Sequence, residues 1–122
     1  MRVGLISDLH AMLPALDAVL ADLDARGVDR IICLGDIVDM GPQPVEVMNR
    51  LAERDIPCVR GNHDPLDEHP EFPLLRVVED WTRNQLGPAR VAALSALPMH
   101  LEVDLDGQRL LCVHGSPSGL TD

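Results

Sequence analysis

Residues 29–44, DRIICLGDIVDMGPQP, contain the pattern that decides the fold class. A short aliphatic run ends in glycine and aspartate at residues 35–36, and a new segment then opens on proline. Residues 29–34 are typical of a buried strand, whereas the apolar residues of 44–54 recur at helical spacing. A strand followed by a helix indicates an α/β protein with a parallel sheet.

The same unit occurs on both sides of this stretch. Residues 2–7 form a second strand-like run, and residues 11–27 then show helical spacing, with Pro14 suited to a first turn and Gly27 to a helix end. Residues 56–60 are predicted to add a third strand. Right-handed crossovers between these strands bring their carboxyl ends to one edge of the sheet, where such sheets bind ligands.

The rest of the chain predicts helices followed by a hairpin. Residues 64–73 are rich in proline and acid and are predicted to form a loop. Two helices, 74–86 and 88–97, are expected on either side of a glycine–proline break. Residues 99–113 alternate around an Asp-Gly pair, which is a strong hairpin signal. No repeat or linker is evident, so residues 1–122 are predicted to form a single domain.

The composition excludes several classes of protein. A hydrophobic fraction of 46% excludes a disordered chain, and a formal charge of −10 opposes non-specific binding to nucleic acid or anionic lipid. No segment approaches the length of a membrane span, and the first apolar run is too short for a signal peptide. Cys33, Cys58 and Cys112 lie in separate apolar runs and read as buried thiols. We therefore expect a cytoplasmic protein.

Each predicted strand ends in polar side chains that can bind metals. If the strands form one sheet, these side chains gather at its carboxyl edge. Carboxylate, amide and imidazole groups suit manganese, iron or zinc better than calcium. The residues at these strand ends are Asp8, His10, Asp36, Asn62, His63 and His114.

Each of these positions also has a purely structural explanation. Asp8 can cap the following helix, and Asp36 can occupy an ordinary glycine–aspartate turn. Asn62 and His63 can form a polar turn, and His114 can simply be hydrogen-bonded. The joint arrangement favours a metal site, because four strand ends in order each carry a suitable residue type.

Four blocks of the sequence, SDLHA, GDIVDMGPQP, RGNHD and VHGSP, resemble the successive signatures of the calcineurin-like metallophosphoesterases. The resemblance is closer to the small bacterial phosphodiesterase-like branch. It implies the α/β sandwich of that family, here as a βαβαβ half plus a hairpin. It also implies a phosphodiesterase or phosphatase that hydrolyses a small phosphate ester, and a nucleotide is a compatible substrate.

The resemblance assigns five residues to a pair of divalent cations. Asp8 and His10 would bind the first ion, Asp36 would bridge both, and Asn62 with His114 would bind the second. Manganese is the expected metal, with iron, zinc or nickel as alternatives. Two such cations would generate a hydroxide nucleophile from water at neutral pH.

The resemblance also implies two catalytic residues. His63 would be the acid that protonates the leaving oxygen, and Asp64 would orient the His63 ring. Asp39, which lies in the same loop as Asp36, is interpreted as a loop residue only.

A later Gly-His-x-His block completes the site in this family, and residues 1–122 do not contain it. We therefore expect the chain to be the N-terminal portion of the fold. One alternative is a metal-binding or protein-interaction module that keeps the fold without turnover. Another is a fragment whose uncovered apolar sheet face favours a homo-oligomer. The enzyme is favoured because the chain retains six of the expected site residues: Asp8, His10, Asp36, Asn62, His63 and His114.

Overall fold

The computed structural model describes residues 1–66 and 72–121 of the chain. In these ranges four strands and three helices follow one another. Residues 67–71 of the predicted loop, including His69, and residue 122 lie outside the described part. The elements are β1 (Val3–Ile6), α1 (Leu13–Ala25), β2 (Arg30–Cys33), α2 (Pro44–Glu53), α3 (Pro73–Ser95), β3 (His100–Leu105) and β4 (Gln108–Val113).

Strands β1 and β2 are parallel neighbours, as the alternation of strand and helix predicts. Their register runs from the pair Val3 and Arg30 to the pair Ile6 and Cys33. The crossover between them is α1, which has proline in its first turn. Both strands therefore end at the same edge of the sheet.

The predicted third strand, residues 56–60, is wrong in extent. Only Cys58 forms a parallel bridge, with Cys33, through hydrogen bonds on either side of it. Pro57 has no N–H to donate to a ladder, and the amide of Arg60 donates instead to the carbonyl of Pro98 at 2.8 Å. The segment still runs beside β2 and delivers the loop that follows it to the same edge.

Helix α3 has two arms, as the glycine–proline break predicts. Gly87 has φ 78° and ψ 165°, which interrupts the helical backbone immediately before Pro88. We call residues 73–86 the first arm and residues 88–95 the second arm. Packing between α2 and α3 places this helix beside the sheet's helical layer.

Strands β3 and β4 form the predicted antiparallel hairpin, paired from His100 and Val113 to Leu105 and Gln108. The two turn residues, Asp106 and Gly107, both have positive φ, at 52° and 89°. This combination is typical of a type I′ turn, whose twist matches that of the strands it joins.

Apolar side chains pack on both faces of the parallel strands. One cluster lies between the sheet and helices α1 and α2, and it includes Ile6, Leu16 and Val47. The other lies between the sheet and the hairpin, and it includes Ile32 and Val103. The α/β sandwich predicted from the sequence is therefore present, with helices on one side of the sheet and the hairpin on the other. Within the described ranges, no helix is both long and apolar enough to cross a membrane.

Candidate metal centre

The loops that follow β1 and β2 are joined through their backbones. The amide of Asp8 donates to the carbonyl of Gly35 at 3.0 Å, and the amide of His10 donates to the carbonyl of Asp36 at 3.0 Å. These bonds extend the pairing of the two strands into their loops. As a result, Asp8, His10 and Asp36 lie at one corner of the sheet.

Left-handed backbone conformations are concentrated in these two loops. Nine non-glycine residues in the described ranges have positive φ, and six of them lie in residues 8–11 or 36–40. Such a conformation costs an L-residue about 1–2 kcal/mol. Backbone strain of this kind clusters at functional sites, where the surrounding structure enforces it. The six residues are Asp8, His10, Ala11, Asp36, Asp39 and Met40.

The third loop is in direct backbone contact with the second. A Cβ atom on Gly61 would collide with the side chain and amide of Asp36, and one on Gly35 would collide with the backbone of Gly61. Both positions therefore require glycine. This close approach brings Asn62 and His63 to the corner that already holds Asp36.

Asp36 lies at the centre of the cluster and is buried. Its Oδ1 accepts the amide N–H of His63 at 2.9 Å, which fixes the carboxylate. Its Oδ2 lies 3.8 Å from Nε2 of His10 and 3.6 Å from Nε2 of His114. One oxygen of Asp36 therefore lies within 4 Å of two imidazole nitrogens.

Three ligand atoms form the first half of the centre. Nε2 of His10 lies 3.6 Å from Oδ1 of Asp8, and one ligand atom each from Asp8, His10 and Asp36 lie within 4.8 Å of one another. Two carboxylates and an imidazole at these separations can contact one divalent cation.

His114 and Asn62 form the second half of the candidate centre. Nδ1 of His114 lies 2.7 Å from the carbonyl oxygen of Leu34, which can only accept, so Nδ1 carries the proton. Nε2 of His114 lies 2.9 Å from Oδ1 of Asn62 and 3.6 Å from Oδ2 of Asp36. An imidazole nitrogen, an amide oxygen and a carboxylate oxygen are ligands that divalent cations accept, so these residues fit a metal.

His63 is held by a residue that sequence reasoning did not assign to it. Its Nδ1 lies 2.9 Å from Oδ2 of Asp39, while Oδ1 of Asp39 accepts the amide N–H of Met40 at 3.0 Å. The His63 ring also packs edge-on against the ring of His10, with centroids 5.5 Å apart. With Nδ1 engaged by Asp39, Nε2 of His63 is available for proton transfer.

Asp64 does not have the predicted role of orienting His63. Its carboxylate is fully buried and accepts the amide N–H groups of Asp36, Ile37 and Gly61 at 2.9, 2.7 and 2.6 Å. Burial raises the pKa of Asp64, while these three hydrogen bonds oppose the rise. Asp64 therefore ties the second loop to the third. The available signal for Asp39 was an acidic residue three positions after Asp36 in the same glycine-flanked loop.

The cysteines lie outside the cluster. Cys33 and Cys112 are buried and Cys58 is half-buried, and all three are free thiols. A hydrogen bond with Cys58 and burial raise the pKa of Cys33 well above its ordinary value, and burial raises the pKa of Cys112. Because thiolates are disfavoured there, the centre depends on oxygen and nitrogen donors.

The sequence profile of the calcineurin-like phosphoesterase superfamily domain matches residues 1–122, so the chain belongs to this superfamily. Among curated relatives, MJ0912 of Methanocaldococcus jannaschii, an uncharacterised protein, is 32% identical over an alignment of 122 positions, and the match covers 94% of this chain and 49% of the relative. The phosphodiesterase YfcE of Escherichia coli K12 is 34% identical over an alignment of 74 positions, and the match covers 52% of this chain and 40% of YfcE. The chain spans about half the length of the curated relatives it matches.

Solved structures support the same family. A metallophosphoesterase from Sphaerobacter thermophilus superimposes with a TM-score of 0.75 at 40% identity, over 98% of this chain and 48% of that structure. Protein PH1004 from Pyrococcus horikoshii OT3 superimposes with a TM-score of 0.83 over 97% of this chain and 56% of that structure. At 23% identity, PH1004 supports the fold alone. The predicted family and fold class are therefore confirmed.

Proposed function

We propose that this chain carries the dinuclear metal centre of a phosphoesterase. The observation that carries the proposal is the position of Asp36 Oδ2, which lies 3.8 and 3.6 Å from Nε2 of His10 and His114. Asp8 and His10 would hold one cation, Asn62 and His114 the other, and Asp36 both. Mixed oxygen and nitrogen donors favour manganese, with iron, zinc or nickel as alternatives.

Charge supports the binding of cations. Within the described ranges, the only ion-pair partners near Asp8 and Asp36 are His10 and His114, and no arginine pairs with either carboxylate. Two cations would polarise phosphoryl oxygens and lower the pKa of bound water from about 16 towards about 7.

His63 would deliver the proton that the leaving group needs. Held at Nδ1 by Asp39, its ring would carry a proton on Nε2 and transfer it to the leaving oxygen as the P–O bond breaks. Asp39 would stabilise the imidazolium before the transfer and fix the ring orientation. Asp39 is therefore a positioning residue, and Asp64 supports the loops.

The proposed substrate is a small phosphate ester. The relative YfcE is a phosphodiesterase, which favours a phosphodiester as the substrate. A nucleotide-containing diester is compatible with the same chemistry. We also propose a reducing, cytoplasmic setting, in keeping with the three free thiols.

Hydrolysis of bis(p-nitrophenyl) phosphate with and without Mn²⁺ tests the proposal. We expect metal-stimulated release of p-nitrophenol, and Asp36→Ala should abolish it. Asp22→Ala, at an exposed aspartate, and His100→Ala, at an exposed histidine, are controls that should leave the release unchanged. Binding of Mn²⁺ without turnover of any ester would contradict it and would favour a metal-binding or protein-interaction module of the same fold.

The role of His63 needs a second substrate. The p-nitrophenolate ion leaves without a proton, whereas an alkyl leaving group, as in a dinucleotide, requires one. His63→Ala should therefore slow the alkyl substrate by about 100- to 10,000-fold and the p-nitrophenyl substrate much less. Equal losses on both substrates would contradict the assignment of His63 as the acid.

A further inference from the structure

The first arm of α3 carries apolar side chains on two faces. Its inward face buries Leu86 and Thr82, at 2% and 0% exposure, and Leu86 is part of the main hydrophobic core. Leu74, Val77 and Trp81 are instead 73%, 65% and 42% exposed. A surface helix ordinarily has one apolar stripe, which it buries, so this arm presents a second apolar stripe to solvent in addition to its buried face.

The exposed residues form one continuous stripe. Leu74, Val77 and Trp81 are spaced three and four positions apart, so they lie above one another on the same side of the helix. Trp81 is the only tryptophan of the chain, and its only phenylalanine, Phe72, is 66% exposed at the start of the same helix. A contiguous stripe of large apolar side chains marks a contact surface, whereas single exposed residues do not.

Charged residues line one flank of the stripe. Arg76 and Asp80 are four positions apart, and Arg83 follows beside them. Arg83 pairs within the helix with Glu79 and Asp80, at 3.1 and 3.0 Å. The guanidinium of Arg76 has no hydrogen bond or ion pair with any described residue, and Asp80 is 74% exposed at its side chain. Together with the inward-facing Glu79, these residues carry two positive and two negative charges, although the chain as a whole has a charge of −10.

We propose that the stripe is the contact surface for a second copy of this chain, with the two first arms packed antiparallel about a twofold axis. An axis near Val77 and Val78 would bring Leu74 of each copy opposite Trp81 of the other. The same axis would bring Arg76 of each copy opposite Asp80 of the other. In a twofold interface the same patch of each copy meets its counterpart, so the patch must be self-complementary. This flank is self-complementary because Arg76 and Asp80 carry opposite charges.

The net charge of the chain limits which kind of protein can bind to the stripe. Two molecules with a charge of −10 repel each other over most of their surfaces, so self-association needs a patch that is apolar at its centre and balanced at its edge. The stripe meets both conditions. It carries no excess of either sign that would select a strongly basic or strongly acidic partner.

The fluorescence of Trp81 reports directly on self-association through the stripe. Sedimentation velocity and tryptophan emission should be followed together on the wild-type chain as its concentration rises. We expect a monomer to give way to a dimer, with a parallel shift of the emission to shorter wavelength as Trp81 leaves water. Val77→Asp should weaken the dimer by at least about tenfold, since it places a charge at the interface centre.

A matched substitution separates this surface from others. Val19→Asp makes the same change on the exposed side of α1, where Val19 is 44% exposed, and it should leave the dimer intact. Both positions are exposed, so both variants should keep the wild-type circular dichroism. A chain that stays monomeric at all concentrations, or a dimer that Val77→Asp does not weaken, would overturn the proposal.

A charge exchange tests the antiparallel geometry. Arg76→Asp and Asp80→Arg should each weaken self-association, because like charges then face each other across the axis. A mixture of the two variants should form a heterodimer, since one side of the axis would then pair the two substituted positions with opposite charges and the other side would keep the original pair of Asp80 with Arg76. No recovery in the mixture would rule out this arrangement of the helices.

Discussion

The two halves of the candidate metal centre differ in how firmly the protein holds them. The His114 side chain is 11% exposed, its Nδ1 is tied to the carbonyl of Leu34, and its Nε2 already meets Asn62. The His10 side chain is 25% exposed and the Asp8 side chain 56% exposed. Nδ1 of His10 is buried without a hydrogen-bond partner among the described residues.

This contrast indicates that one half is organised in advance and the other is not. A hydrogen bond to the second nitrogen of a metal-binding histidine fixes its tautomer and orientation. His114 has such a bond to the backbone, whereas His10 lacks one within the described ranges. We therefore expect the cation at Asn62 and His114 to bind more tightly than the cation at Asp8 and His10.

The largest expected effect belongs to the residue that the two halves share. Asp36→Asn keeps the side-chain shape and the hydrogen bond to His63 but removes the charge beside both histidines. Mn²⁺ affinity should fall in both halves by more than the about 10- to 100-fold that loss of a supporting hydrogen-bond partner costs. Titration calorimetry measures both binding steps, with Asp22→Asn as an exposed control. Loss of a single step would show that Asp36 does not bridge.

The next test compares the two histidines directly. His114→Ala should abolish the tighter Mn²⁺ binding step, and His10→Ala should abolish the weaker step while leaving the tighter one measurable. The reason is the unequal organisation of the two rings described above. Mn²⁺ titrations followed by electron paramagnetic resonance count the ions bound to each variant. If His10→Ala removed the tighter step, the order of the two halves would be reversed.

A smaller effect is expected from the residue that holds His63. Asp39→Asn should slow an ester with an alkyl leaving group by about tenfold, the lower end of what a supporting partner contributes. Mn²⁺ affinity should be unchanged, because Asp39 contacts His63 and the Met40 amide rather than a proposed ligand. Steady-state kinetics and metal titration on one preparation check both statements. Asp55→Asn, in an exposed turn, is the matched control.

The parts of the fold that sequence predicts well are those with local causes. The hairpin follows from an Asp-Gly pair that takes positive φ at both positions, and the break in α3 follows from Gly87 and Pro88. The parallel pairing of β1 and β2 follows from the helix between them. The third strand fails for an equally local reason, because Pro57 cannot donate to a ladder.

The residues of the candidate site also differ in whether the sequence predicts their positions. Strand ends place Asp8, His10 and Asp36 at one edge, and that convergence follows from topology. The pairing of His63 with Asp39 does not follow from topology. Asp39 lies in another loop, whose left-handed residues place its carboxylate beside His63, and no periodicity in the sequence reveals this. Adjacency in sequence suggested Asp64 instead, but the Asp64 carboxylate accepts hydrogen bonds from the backbones of two loops.

A substitution of Asp64 is therefore the last test of the difference between the two halves of the centre. Asp64→Asn would turn an acceptor-only group into one that presents an N–H₂ towards the amides of Asp36, Ile37 and Gly61. A buried donor left without a partner costs about 1–3 kcal/mol, so the free energy of unfolding should fall by that amount. Urea denaturation measures this loss. Because Asp64 ties the Asp36 loop to the loop of Asn62, any loss of Mn²⁺ affinity should fall on the His114 half. A loss confined to the His10 half would mean that the two loops are not coupled through Asp64.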